Sequence, residues 1–416
     1  MSHLMHKVLV VGLLLITVPT FYGAEPTKEE LTKTVLELNR LTGTTSMTKR
    51  LVELARDEQL SKKLIPVAVE LSKAKKRDIN YNALFVMGRL AQNFKLSDDA
   101  VQLYRAASEE ATKVGSASKI VDVFDSLIDL YAATKKYDEA IQACQEFLEI
   151  PIDDPESPIS RMKPFIMEKM VMNVARKGKI DEAVALADRL VEDDRGGWYF
   201  VRLKGDVLRE GEKYKEAAEA YELSLSRLKK FDRLEKEQRD RIGQRIRYIL
   251  SSVYVSMKDL DKGITILEEL VKEDPKNPTY LNDLGFTLAD HDKRLDDAEK
   301  LIRQAIEFDR EERKAIENLP KDLDVDNAAY LDSLGWVLFK KKKYQEALKE
   351  LEAAVKLEDG AHIEIYDHLA ETYKALGQTN KAVEMWKKAL KLEDISKSDQ
   401  ERRKAIQKKL DSNRDD

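Results

Sequence analysis

Few residues of this chain combine types and spacing that suit metal binding. His291 lies in the segment ADHDKRLDD, which also carries Asp290, Asp292 and Asp296. Carboxylates this close together suggest a calcium loop, but the glycine that an EF-hand requires at its sixth place is absent. We therefore predict a solvated turn between helices here and no bound metal.

Catalytic residues are equally hard to find. Asp367 and His368 are neighbours in sequence, but no nucleophile is indicated near them, and we interpret His368 as a surface or groove histidine. The chain lacks HExxH, GxxxxGK[ST], G-x-S-x-G and CxxC motifs. With 77 acidic residues, paired carboxylates are expected by chance, and no pair stands out. The prediction is a non-enzyme without a cofactor, and a remote hydrolase is the enzymatic alternative.

Cys144 is the single cysteine, so no disulfide can form within the chain. It lies at helical spacing from Ala140, Phe147 and Leu148, which indicates a small buried core residue. A reactive thiol or an intermolecular bridge is the alternative.

Composition favours helix throughout and argues against nucleic acid as a partner. The 416 residues are 43% hydrophobic and 36% charged, with only 16 Gly and 10 Pro. The net charge of −5 lacks the basic footprint of a dedicated nucleic-acid binder. Small basic clusters, such as residues 340–343, are flanked by acidic residues and are interpreted as solvated surface.

Residues 1–24 differ from everything after them. Lys7 precedes the uncharged apolar run VLVVGLLLITV, which is followed by PTFYGAE. This is the layout of a secretory signal peptide, with an apolar run that is short for a membrane span. We predict cleavage after Ala24, export to the periplasm and no membrane span in the mature chain. Secretion, or an uncleaved amino-terminal anchor, is the alternative.

A helical pattern recurs after this segment and explains an unusual glycine. Gly335 lies in SLGWVLFKKKKYQEAL, where a good helix former would be about 1 kcal/mol more favourable. Numbered from Ala328, the apolar and small residues fall at positions 4, 7, 8, 11, 17, 20, 24 and 27. The same marks recur in units that start near residues 81, 121, 164, 198, 244, 278, 328 and 363.

This pattern resembles the tetratricopeptide repeat family, whose 34-residue unit is a pair of antiparallel helices, A and B. The resemblance covers residues 81–396 and is strongest from residue 278 onward. It implies an all-α, right-handed solenoid of about eight helix-turn-helix repeats. Small residues at positions 8 and 20 would let helices A and B approach closely, which makes Gly335 a contact point with Ala347 as its partner.

The irregular spacings predict insertions and caps. Residues 226–242 are expected to extend a second helix, and residues 311–318 to add helix before Pro320 ends it. Residues 25–80 are interpreted as a degenerate helical pair that caps the array. Residues 397–416 are expected to form a charged, solvating helix, with Ser398 and Glu401 as its capping box.

In tetratricopeptide proteins the concave surface is lined mainly by positions 2, 5, 9 and 12 of helix A. This chain lacks the lysine and asparagine clamp that some members use for a peptide carboxylate, because Asn282 and Asp332 occupy position 5. Three carboxylates, Asp122, Asp125 and Asp129, would make one end of the groove acidic. The candidate partner-binding residues are Arg202, Tyr248, Asn282, Phe286, Asp332, Trp336 and Phe339.

Aromatic groups beside amides and carboxylates suit an extended or helical peptide, because they add apolar area with little side-chain entropy to lose. We therefore predict a scaffold that binds a protein or peptide partner in the cell envelope. One alternative is a spacer or subunit of a larger assembly, held by its ends or inserted helices. A second is that Phe286 and Trp336 only pack against the next helix A.

Overall fold

The computed structural model describes residues 25–74, 77–152, 154–194, 196–317, 319, 324–392 and 396–412. Every regular element in these residues is helical, which confirms the predicted all-α class. The proposed signal peptide lies outside the described residues. The chain divides into two compact units, and the division follows Arg239.

The first unit begins with three helices and continues as helix pairs. Two buried clusters form its core, one reaching from Leu31 to Ile166 and the other from Val171 to Val207. Its helices are α1 (Lys28–Glu37), α2 (Gly43–Ala55), α3 (Glu58–Ser72), α4 (Tyr81–Asn93), α5 (Ser97–Lys113), α6 (Ala117–Ala133), α7 (Tyr137–Leu148), α8 (Pro158–Arg176), α9 (Ile180–Asp193), α10 (Tyr199–Glu210) and α11 (Tyr214–Lys229).

The second unit repeats the helix-pair arrangement. Helix α12 starts just before the division, and the last helix packs onto α18 and α19 through Ile406 and Leu410. Its helices are α12 (Lys236–Ser256), α13 (Leu260–Glu273), α14 (Pro278–Asp290), α15 (Leu295–Lys314), α16 (Ala328–Lys340), α17 (Tyr344–Ala354), α18 (Ile363–Ala375), α19 (Thr379–Ala389) and α20 (Lys397–Ser412).

The same backbone turn separates helix A from helix B in all eight repeats. Position 15 has a positive φ in each of them, although only two of these residues are glycines. The next amide bonds back five residues, as from Lys343 N to Leu338 O at 2.9 Å, which caps the exposed carbonyls of helix A. The residues at position 15 are Lys95, Lys135, Gly178, Glu212, Lys258, Asp292, Lys342 and Gly377.

Close helix packing at position 8 involves position 24 as well as position 20. A Cβ added to Gly263, at position 20, would lie 3.0 Å from Ser251 O at position 8. A Cβ added to Gly335 would lie 2.5 Å from Leu351 Cγ, at position 24. Gly88 faces the ring of Tyr104, and Gly205 faces that of Tyr221, in the same way. The glycine leaves room for a large side chain from helix B, and this is why the helical pattern accepts it.

Three sequence-based boundaries need correction. Helix α11 ends at Lys229 and a new helix begins at Lys236, so the extra residues lengthen the following helix A instead of the preceding helix B. The amino-terminal cap contains three α-helices instead of a pair. The reciprocal hydrogen bonds before α20 join Ser396 and Asp399, at 2.9 and 3.1 Å, and replace the expected Ser398–Glu401 box.

Cys144 is fully buried in α7, as the sequence predicts. Burial raises the pKa of its thiol to about 12. Because the thiolate is the reactive form, this environment makes the side chain a packing residue.

Candidate functional site

A cluster of buried polar and aromatic groups connects the A helices of the second unit. Asp332 and Trp336 lie one turn apart on α16, and both contact His368 on α18. The Nδ1 atom of His368 lies 2.9 and 3.1 Å from the two carboxylate oxygens of Asp332. The imidazole also stacks on the indole ring, with 4.0 Å between centroids. We call Asp332, His368 and Trp336 the histidine cluster.

Trp336 is enclosed by neighbours but keeps part of its surface exposed. The Phe339 ring stacks against the indole ring, with 4.9 Å between the ring centroids. The Nε1 atom of Trp336 donates a hydrogen bond of 3.0 Å to Asp290 Oδ1. The ammonium of Lys340 lies 5.2 Å from the indole centroid. Trp336 therefore packs against the next helix A through His368, as the packing alternative expects.

Phe286 approaches the same cluster from α14. Its ring lies 6.4 Å from that of His368, and its side chain stays partly exposed. The structure thus brings together four of the seven candidate residues, Phe286, Asp332, Trp336 and Phe339.

Two more candidates meet at a carboxyl group that was not among them. The Tyr248 hydroxyl on α12 donates to Asp283 Oδ2, and Asn282 Nδ2 donates to Asp283 Oδ1 at 3.0 Å. Tyr280 lies beside Tyr248, with 5.5 Å between the ring centroids. Asn282 is 5% exposed, and its Oδ1 atom has no hydrogen-bond partner among the described residues.

Arg202 belongs to the first unit and is held by its own neighbours. It forms ion pairs with Glu168 at 2.8 Å and with Asp206 one turn along α10, and its guanidinium lies 5.0 Å from the Tyr199 ring centroid. Its side chain is 17% exposed. Neighbouring carboxylates therefore occupy part of its hydrogen-bonding capacity.

The acidic end of the predicted groove is partly neutralised. Lys169 on α8 reaches Asp125 Oδ1 at 2.5 Å and Asp129 Oδ1 at 2.6 Å. The sequence reading missed this lysine, because position 6 is not among the usual groove positions. Asp122 is the remaining carboxylate, and burial together with nearby Asp125 raises its pKa.

Burial perturbs the ionisation of two groups in the second unit in different ways. Burial disfavours the imidazolium of His368, but the ion pair with Asp332 outweighs it and raises the pKa above its ordinary value. Burial also raises the pKa of Asp283, and the hydrogen bonds from Tyr248 and Asn282 compensate only in part. Both pKa values are thus raised, that of His368 by an opposite charge and that of Asp283 by burial.

His368 itself is 2% exposed, so the expectation of a surface or groove histidine is wrong. Sequence reasoning missed Asp283 and Lys169 and interpreted His368 as a surface or groove residue. All three occupy position 6 of their repeats. A search for pairs between position 5 of one unit and position 6 of the next would have found them.

Within the described residues, no group of three or more histidine, cysteine or acidic side chains could hold a metal ion. No described helix has the length and apolar character needed to cross a membrane.

The helix pairs and their packing define a helical-repeat protein of the tetratricopeptide solenoid class. Two segments, residues 170–232 and 244–277, match family descriptions for the tetratricopeptide repeat. Residues 337–414 match the family described as regulator of microtubule dynamics protein 1-3.

Several known proteins are similar to this chain or to part of it. A TPR repeat-containing protein of Pseudomonas aeruginosa is 30% identical over 124 residues. That match covers 30% of this chain and only 18% of the relative's length. Yeast Tom70 shares the fold with a TM-score of 0.53 and 14% identity, over 93% of this chain and 78% of its own. A tetratricopeptide repeat protein from Parabacteroides merdae aligns over 69% of this chain and 98% of its own, with 11% identity and a TM-score of 0.47.

Proposed function

We propose that this protein is a non-catalytic scaffold that binds a peptide segment of another cell-envelope protein. The observation that carries the proposal is a set of aromatic side chains on successive A helices of the second unit, each only partly buried. Aromatic rings with free surface, set beside carboxylates, are typical anchors for a bound peptide. The rings are those of Tyr248, Tyr280, Phe286, Trp336 and Phe339.

The test must separate a binding surface from packing residues. Asp332 and Asn282 are buried, so their removal would change stability together with any binding. Phe286 and Phe339 keep exposed surface and are better probes. We would replace each by a photoreactive benzoylphenylalanine, irradiate intact cells and identify the adducts by mass spectrometry.

We expect protein adducts from positions 286 and 339. Val325 is the matched control, because it is an exposed apolar residue (44%) in the connection between α15 and α16. Gln407 on α20 reports on the carboxy-terminal end of the chain. If adducts form only at positions 325 and 407, the protein is a spacer or subunit held by its insertion and end.

The proposed location is the periplasm, with the apolar run of residues 8–18 as its support. We expect the mature protein to begin at Glu25, which intact-mass measurement of the purified native protein would show. Retention of residues 1–24 together with release from membranes only by detergent would favour the amino-terminal anchor.

A further inference from the structure

Asp283 is a partly buried acidic group without a basic partner in the described residues. Its two hydrogen-bond donors are the Tyr248 hydroxyl and the Asn282 amide, and neither carries a positive charge. Removing a carboxylate from water is costly unless a positive charge compensates it.

Equivalent positions elsewhere contain such a charge. At two other places, position 5 of one helix A contacts position 6 of the next helix A. Asp125 pairs with Lys169 at the first place, and Asp332 pairs with His368 at the second. At the corresponding contact between α12 and α14, the acid is Asp283 and its partner is Tyr248. Here the acid occupies position 6 and a phenol occupies position 5, so neither position supplies a base.

A second acceptor lies next to this carboxyl group. Asn282 is 5% exposed, its Nδ2 points to Asp283, and its Oδ1 atom has no partner in the part of the chain that is described. A buried carbonyl oxygen without a donor is unfavourable, because it loses its hydrogen bonds to water and gains none in return. A carbonyl oxygen without a donor, beside a carboxyl group without a positive charge, favours a cationic ligand rich in N–H groups.

The surrounding rings favour the same kind of ligand. The ring centroids of Tyr248 and Tyr280 lie 5.5 Å apart. Both side chains are partly exposed, as is that of Asp283. Burial raises the pKa values of both hydroxyls, so the rings stay neutral at physiological pH. Neutral tyrosine faces attract an ammonium or guanidinium group, most strongly where water is partly excluded.

From these contacts we propose that Asp283, Asn282, Tyr248 and Tyr280 form a site for the arginine or lysine side chain of a bound peptide. We call it the Asp283 site. Through this site the protein would prefer peptides that carry a positive charge. This inference rests on the proposed function.

The carboxyl group links this binding to pH. A bound cation stabilises the carboxylate form of Asp283, so peptide binding releases protons wherever the free group is partly protonated. Affinity is therefore expected to fall as the pH is lowered through the pKa of Asp283. A peptide that carries citrulline instead of arginine would lose most of this dependence.

The test is selection from a random peptide library displayed on phage, with the full mature chain immobilised. Asp283→Asn is the variant, because the amide keeps an acceptor for Tyr248 and removes the charge. Asp261→Asn is the matched control, since this exposed carboxylate pairs with Lys293 and its replacement changes the net charge equally. Selected peptides are then synthesised with arginine or citrulline and titrated by calorimetry.

We expect wild type and Asp261→Asn to select peptides enriched in arginine or lysine. Asp283→Asn should bind the same peptides about tenfold to hundredfold more weakly, and citrulline should weaken wild-type binding similarly. The melting temperature of Asp283→Asn should not fall, because the variant removes an uncompensated, partly buried charge. This separates lost binding from lost folding.

Two results would overturn the assignment in different ways. Peptides that bind wild type without enrichment in basic residues, or that bind Asp283→Asn equally well, would refute the Asp283 site and leave the scaffold function intact. If wild type selects no peptide at all, both the scaffold proposal and this site fail.

Discussion

Gly335→Leu is expected to lower the free energy of unfolding by about 3 kcal/mol. Even a Cβ at residue 335 would lie 2.5 Å from Leu351 Cγ, and Leu351 is fully buried. Overpacking of a core typically costs about 1–3 kcal/mol, and the larger side chain has no space to enter here. Chemical denaturation measures the loss, and hydrogen exchange should show that it is greatest in α16 and α17.

The control for Gly335→Leu is Ala329→Leu, which adds a large side chain at an exposed position of the same helix. We expect it to change stability by less than about 0.5 kcal/mol. Adding Leu351→Ala to Gly335→Leu should cost less than the sum of the single changes, because the new side chain fills the space that Leu351 leaves. Unchanged unfolding of Gly335→Leu would show that position 8 is not a close contact.

Asp332→Asn is expected to destabilise the second unit by about 3 kcal/mol at pH 6. The variant leaves a buried imidazolium without its counter-ion, and breaking a buried ion pair costs about 3–5 kcal/mol. The amide retains one hydrogen-bonding group, so the lower end of that range is appropriate. Denaturant unfolding of wild type and variant at each pH measures the difference.

The effect should shrink as the pH rises. The pKa of His368 is higher in the folded chain than its ordinary value of 6.5. The stabilisation is therefore fully present below the unfolded pKa and is lost as the pH rises through the folded pKa. We expect the cost of Asp332→Asn to be clearly smaller at pH 9 than at pH 6.

Glu384→Gln is the control for the charge change. Glu384 pairs with Lys388 at 2.8 Å on the surface of α19, and both side chains are about half exposed. Solvent screens such surface pairs, so this variant should differ little from wild type at either pH. An equal cost of Asp332→Asn at pH 6 and pH 9 would mean that His368 is not charged in the folded protein.

The repeat register was available from the sequence alone, because it depends on local rules. Glycine or alanine at positions 8 and 20, and large apolar residues at intervening helical spacings, report the faces that must be buried. The burial of Gly335, Ala347 and Cys144 follows from that spacing. Helix ends were less predictable: α20 begins one residue after Ser396 because Asp399, and not Glu401, returns the hydrogen bond.

The candidate site could be predicted only in part. Positions 2, 5, 9 and 12 located Tyr248, Phe286 and Trp336 on the A helices, since helical periodicity decides which residues share a face. The groups that those side chains contact belong to neighbouring units tens of residues away. For this reason Asp283 was missed, and the burial of His368 against Asp332 was not predicted.

What the sequence by itself determined is the class of the protein: an all-α array of helix pairs with no catalytic motif and no motif for a metal. Those properties depend on residue types and on spacings within one unit. The tertiary structure decided which charges are compensated, because packing of one helix A against the next pairs Asp332 with His368 but places Asp283 against a tyrosine. Ionisation depends on burial and on neighbouring charges, and both are properties of the folded chain.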